Sequence, residues 1–202
     1  MATTDRAAQL ILASSSAIRR QLLANAGLTF SVEAAAADEA TEMARLGVVM
    51  PEALAEYLAE WKALDVSARN PAALVVGCDQ VLALDGKSYT KAADLAIARQ
   101  ALMELRGKTH FLHSAVTLVK DGAVLWRYLD SARLTMRDFS SGFVDGYLAR
   151  TGNAVLKSVG SYQLEGVGVQ LFERIEGDYF TILGLPLLPL LAELRRHGVV
   201  AT

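Results

Sequence analysis

The sequence is short of several things that would each point to a class of protein. Its 202 residues hold one cysteine, Cys78, so no disulfide can form within the chain. The three histidines and that cysteine show no metal-ligand spacing, which argues against a zinc site. Neither sign of charge is in surplus: 20 Lys and Arg stand against 22 Asp and Glu, a net charge of −2. That balance argues against non-specific nucleic-acid binding, and any polyphosphate would have to be met by locally gathered cations. No apolar run reaches the length of a membrane span. The greasiest one, Gly184 to Leu194, is too short and holds two prolines. The opening Met-Ala-Thr-Thr-Asp-Arg lacks the apolar core of a signal peptide. The expectation is a soluble, cytoplasmic protein without nucleic-acid or membrane partners.

Apolar residues make up 52% of the chain, enough for a buried core and too many for a mainly disordered protein. No repeat, linker or low-complexity block divides it. A single domain over residues 1–202 is expected, with residues 1–8 frayed.

One stretch organises the reading, Leu10-Ile-Leu-Ala-Ser-Ser-Ser-Ala-Ile-Arg-Arg-Gln-Leu-Leu23. Leu10 to Ala13 reads as a short buried strand. Ser14, Ser15 and Ser16 are helix-capping types, Ile18, Leu22 and Leu23 recur at helical spacing, and Gly27 stands where a helix would end. A strand, a tight turn and a helix N-terminus carrying hydroxyls and Arg19/Arg20 together suit a phosphate. Such turns are commoner than phosphate sites, so on this stretch alone an ordinary turn with a solvated arginine pair leads.

Further along, Thr29 to Val32 reads as a strand and residues 34–42 as a loop. Pro51 opens a helix with an apolar stripe at Leu54, Tyr57, Leu58, Trp61 and Leu64. Lys62 flanks that stripe, free to reach water or to point into a cleft, water being the default. Ala72 to Val76 reads as a buried strand bounded by Gly77. Asp79 then stands in apolar company, where a carboxylate must pair, bind a metal or protonate. Its roles as a strand-end acid bonded to backbone and as a catalytic base weigh evenly. Asp85-Gly86 marks a hairpin turn. A helix at Leu95 to Leu105 and strands at Thr109 to Val119 and Val124 to Arg133 follow. His110 and His113 read as facing one side of their strand, His110 in a structural role. Then come a helix from Ser140/Ser141 to Gly152, a strand from Val167 to Ile175 and a last helix opened by Pro186. Alternating elements first and hairpins after predict an α/β fold with a mixed sheet.

Several segments, in order, resemble the Maf family of nucleoside triphosphate pyrophosphatases. They are residues 12–23, Asp38-Glu39, Lys62-Ala63, Gly77-Cys-Asp-Gln-Val81, Lys91, Gly107-Lys-Thr-His110, Glu176-Gly-Asp-Tyr179 and Gly184-Leu-Pro186. The resemblance implies an elongated mixed β-sheet with flanking helices and two lobes around a central cleft, as in inosine triphosphatase-like folds. It implies a cytoplasmic homodimer that splits a nucleoside triphosphate into monophosphate and pyrophosphate with Mg²⁺ or Mn²⁺. Position by position, Asp79 matches the catalytic acid, and Ser14, Arg19, Lys62 and Lys91 match residues meeting the phosphates. Glu39 also matches the cleft lining, and with Asp79 is the candidate metal ligand. Ile18, Gln80 and Glu165 fall at substrate-selecting positions. The Asp79-Gln80 pair, with Ser161-Tyr-Gln-Leu-Glu-Gly166 and Leu171-Phe-Glu173, resembles the branch acting on 7-methyl-GTP. Ala17 replaces the family's usual Pro. Ile18 stands where that branch can carry Trp, so it offers a cationic base only apolar contact, while Glu165 can supply charge. A dTTP/UTP pyrophosphatase and a nucleotide-sensing regulator of cell division are the alternatives.

Overall fold

In the computed structural model the described residues are 9–36, 39–47 and 49–201. The expected frayed N-terminus and Asp38 lie outside them. Strand β1 (Leu10–Ala13) is wholly buried and leads into helix α1 (Ala17–Asn25), whose N-cap Ser16 accepts from the Arg19 backbone N–H. Gly27 leaves that helix with φ +77°, a conformation cheap only for glycine. Strand β2 is Ser31–Val32, shorter than the sequence suggests. Helix α2 (Glu39–Leu46) replaces the expected loop from Glu39 onward. Its polar first turn, Glu39 to Glu42, hides the helical period but suits a helix N-terminus electrostatically.

Helix α3 (Pro51–Arg69) starts at its proline as expected. Its buried face is narrower in side-chain size than the Leu/Tyr/Trp stripe implied: Leu54, Ala55, Leu58, Ala59, Ala63 and Val66 are buried, while Tyr57, Trp61 and Leu64 are only half-buried. Small residues let α3 lie close on strand β3 (Leu74–Leu84). Gly77 does not end that strand. It sits where a Cβ would meet the Ala59 carbonyl oxygen at 2.1 Å and the Ala63 Cβ at 2.7 Å, so glycine marks a close helix crossing.

Asp85 and Gly86, with φ +52° and +75°, turn β3 into strand β4 (Lys87–Tyr89), the expected hairpin. Helix α4 (Leu95–Leu105) precedes two long antiparallel strands, β5 (Thr109–Lys120) and β6 (Ala123–Met136), joined at Asp121-Gly122. Helix α5 (Ser141–Thr151) is capped by Ser140. Residues 167–171 form a 3₁₀ turn, so the expected strand is confined to β7 (Phe172–Glu176). Two glycines in Val167-Gly-Val-Gln-Leu171 and its flank interrupt the alternation there. Helices α6 (Tyr179–Ile182) and α7 (Leu187–Arg196) close the chain.

The described strands form one mixed sheet, ordered β2-β1-β3-β5-β6-β7 with β4 beside β3. β1 runs parallel to β2 and β3; the other pairs are antiparallel. Two main cores share one face of the long strands. Leu74, Val76 and Cys78 pack with α1 and α7, whereas Leu82 and Leu84 pack with α4 and α5. α3 covers the opposite face. His110 and His113 therefore cannot share a side, because three residues along a strand reverse the direction. His110 meets Tyr162 among the α4/α5 core, and His113 faces Glu52 of α3. No described helix is long and apolar enough to cross a membrane.

Candidate active site

The sheet has a gap along one edge of β3. β1 pairs with it as far as Ala13 opposite Gly77, and β4 pairs only from Tyr89 opposite Leu82. Cys78, Asp79, Gln80 and Val81 thus have no strand beside them on that edge among the described residues. A cavity of about 1030 Å³ opens there. Ser14, at the end of β1, stands on one side, and Lys91, just past β4, on the other. All nine residues singled out from the sequence line this cavity: Ser14, Ile18, Arg19, Glu39, Lys62, Asp79, Gln80, Lys91 and Glu165.

Alternation along β3 sends Asp79 to the α3 face and Gln80 to the other. Asp79 is 7% exposed. Lys62, on α3, places its ammonium 2.5 Å from Asp79 Oδ1 and 2.6 Å from Glu39 Oε2. The lysine therefore points into the cleft, not to water, because it follows Leu58 on the helix face that lies on the sheet. Burial pushes the Asp79 carboxyl above the ordinary carboxylate value, against the pull of Lys62 and Arg19. Burial alone would lower the Lys62 ammonium, but Asp79 and Glu39 outweigh it and hold it above its ordinary value.

Arg19 fixes the Ser14 corner to Asp79's neighbour. Its Nε donates to the Gly184 carbonyl at 2.8 Å, and its Nη1 to the Cys78 carbonyl at 3.0 Å and to Ser14 Oγ at 3.4 Å. Ser14 Oγ also accepts from the Ser16 N–H at 3.2 Å. The first-turn N–H groups of α1 have no partners within the helix, as in any helix start, and they open onto the same cavity. Glu39 and Asp79 meet at the Lys62 ammonium, from two elements and each through one hard carboxylate oxygen. That donor set fits Mg²⁺, which takes one or two carboxylates and completes its shell with water and phosphate oxygens.

Residues 9–197 match the family described as Maf-like protein. The chain belongs to the Maf family. A 7-methyl-GTP pyrophosphatase of Brucella abortus biovar 1 is 53% identical over 194 residues, covering 95% of this chain and 98% of that protein. One from Mesorhizobium japonicum matches with the same identity and coverage. A nucleoside triphosphate pyrophosphatase of Paramagnetospirillum magneticum is 51% identical over 190 residues, covering 93% and 98%.

Sequence reasoning passed over three groups at this Maf-family site. Lys157 lines the cavity from the 3₁₀ turn that follows α5, and no spacing in the sequence ties it to Lys91. Ser114 and Thr181 hold the Gln80 side chain, and only strand register brings them to it. His113 stays outside the cavity, paired with Ser131 at 2.8 Å.

Proposed function

We propose that this Maf-family protein is a nucleoside triphosphate pyrophosphatase that hydrolyses a modified nucleotide, with 7-methyl-GTP as the leading substrate, to the monophosphate and pyrophosphate. The observation that carries the reading is a buried carboxylate, Asp79, set in an open cleft between an arginine-pinned serine turn and the exposed Lys91. Relatives named for this activity, at about half identity along nearly the whole chain, support it.

In this mechanism the triphosphate lies along the gap beside β3. Ser14, the α1 N-terminus and the remaining Arg19 nitrogen take phosphate oxygens on one side, and Lys91 on the other. Water attacks the α-phosphorus, and Asp79 accepts its proton. The new P–O bond forms as the bond from the α-phosphorus to the bridging oxygen breaks, and its electron pair leaves on pyrophosphate. A pKa raised by burial makes Asp79 a better proton acceptor than an ordinary surface carboxylate. Lys62 orients that carboxylate and balances charge as it develops. Glu39 and Asp79 would hold the divalent cation, Mg²⁺ or Mn²⁺, which supplies charge neutralisation and water activation when bound.

Ile18, Gln80 and Glu165 are the residues placed to choose the base. Homodimerisation and a cytoplasmic setting belong to the same reading. The outer edge of β6 from Ala123 to Ala132 has no strand beside it among the described residues, and Leu125 and Tyr128 are exposed along it.

Pyrophosphate release from a panel of triphosphates with Mg²⁺ tests the activity. Asp79→Asn should lower kcat by about 10²–10⁴-fold with the fold intact. Near-normal turnover by that variant would remove Asp79 from the chemistry. No release by the parent protein from any triphosphate would favour a sensor over an enzyme.

A further inference from the structure

Strand register sets three polar residues in one row across the sheet. Gln80 of β3 lies opposite Ser114 of β5, which lies opposite Asp130 of β6. Helix α6 lays Thr181 over that row and bonds to all three. Gln80 Nε2 donates to the Thr181 carbonyl at 3.1 Å, to the Ile182 carbonyl at 3.0 Å and to Ser114 Oγ at 3.0 Å. Ser114 Oγ in turn donates to the Thr181 carbonyl at 2.8 Å, and Thr181 Oγ1 donates to Asp130 Oδ2 at 2.6 Å. Ser114 and Thr181 are buried outright.

Two of the three groups around the Gln80 amide nitrogen are backbone carbonyls, which only accept. The amide can therefore be seated one way round, with its NH₂ toward α6. Its hydrogens are spent on the protein. Its carbonyl oxygen has no hydrogen bond among the described residues, and the residue lines the cavity. We propose that Ser114 and Thr181 are positioning residues that lock the Gln80 amide, so that it meets the ligand as an acceptor only. Glu165 lines the same cavity, and a carboxylate likewise offers acceptors. Two acceptors suit a base edge with two adjacent N–H donors, as in guanine. They suit uracil and thymine poorly, since those offer one N–H between two carbonyls.

The inference rests on the pyrophosphatase reading only in taking the ligand to be a nucleotide. Calorimetric binding of GTP and ITP separates the two questions, because ITP lacks only the 2-amino donor. The parent protein should bind GTP about tenfold more tightly than ITP, the scale of one unmatched hydrogen bond in an open cleft. Ser114→Ala, which removes the hydroxyl that holds the Gln80 amide, should cut that ratio at least threefold by weakening GTP, with melting temperature little changed. Pyrophosphate release run alongside should show the loss in KM and not in kcat. Equal affinity of the parent for GTP and ITP, or a Ser114→Ala variant that weakens both equally, would overturn the proposal. A GTP preference without turnover would leave it standing and sink the activity instead.

Discussion

Gly77→Ala is the most direct probe of how α3 and β3 make the site. The added Cβ would lie 2.1 Å from the Ala59 carbonyl oxygen, 2.7 Å from the Ala63 Cβ and 2.9 Å from the Ala63 nitrogen. Touching heavy atoms settle near 3.5 Å, so the helix would have to back away by more than about 1 Å. Two of those three neighbours are backbone, and no rotamer change can relieve them. Overpacking of a core commonly costs about 1–3 kcal/mol, and a clash with backbone belongs at the upper end. At roughly 2–4 °C per kcal/mol for a chain of this size, a cost of about 3 kcal/mol lowers Tm by about 6–12 °C. The functional loss should be coupled to it. Lys62 adjoins Ala63 on the retreating helix, and Asp79 is two residues along the strand, so the 2.5 Å contact between them opens. Thermal melting and pyrophosphate release on the same preparation measure both. Adding Ala63→Gly should not restore stability, because the Ala59 carbonyl remains in the way. A Tm within 2 °C of the parent, roughly the effect of under 1 kcal/mol, would refute the close-crossing argument.

Two further outcomes follow from buried charge. Lys62→Met removes the ammonium that offsets burial at Asp79. The carboxyl pKa should climb further, so the acid limb of the pH–rate profile should move to higher pH; a limb that stays put would show that Lys62 does not tune Asp79. His110 is buried, and that burial lowers its pKa to about 4 from 6.5. It folds neutral, so its contribution to stability is complete above pH 6.5 and is lost as pH falls toward 4, a swing of about 3 kcal/mol. Urea unfolding at several pH values should show this acid-linked loss, and His110→Gln, which does not titrate but can still bond Tyr162, should blunt it. An unchanged pH dependence in that variant would assign the loss to other groups.

Signals that act over a few residues were legible in the sequence. Ser16 and Ser140 cap their helices, Pro51 opens α3, and Asp85-Gly86 turns a hairpin, because each effect lies between chain neighbours. The site residues were reached through family likeness, and their gathering in one cavity could not be read from spacing. Lys62 shows why: its direction depends on which face of α3 lies on the sheet, and the large residues Tyr57 and Trp61 point to the wrong face. Gly77 resembled a strand end because the helix that demands it comes from residues 59–63. The Gln80–Ser114–Asp130 row exists only in the register of three strands, which no local pattern encodes.

The charges in the cleft are divided unequally, and the division bears on how a triphosphate could be held. Arg19 spends Nε and Nη1 on protein carbonyls and Ser14, and Lys62 spends its ammonium on two carboxylates. One wall is thus assembled before any ligand arrives, at little further ordering cost. Lys91 and Lys157, both exposed, have no hydrogen bond or ion pair among the described residues and line the other wall. A net charge of −2 gives no long-range pull on a polyanion, so these free cations must supply it locally. In the proposed mechanism the structured wall would fix where the phosphates stop, beside Asp79. Long side chains on one wall and pinned ones on the other would reconcile a charge-balanced protein with the highly charged substrate proposed for it.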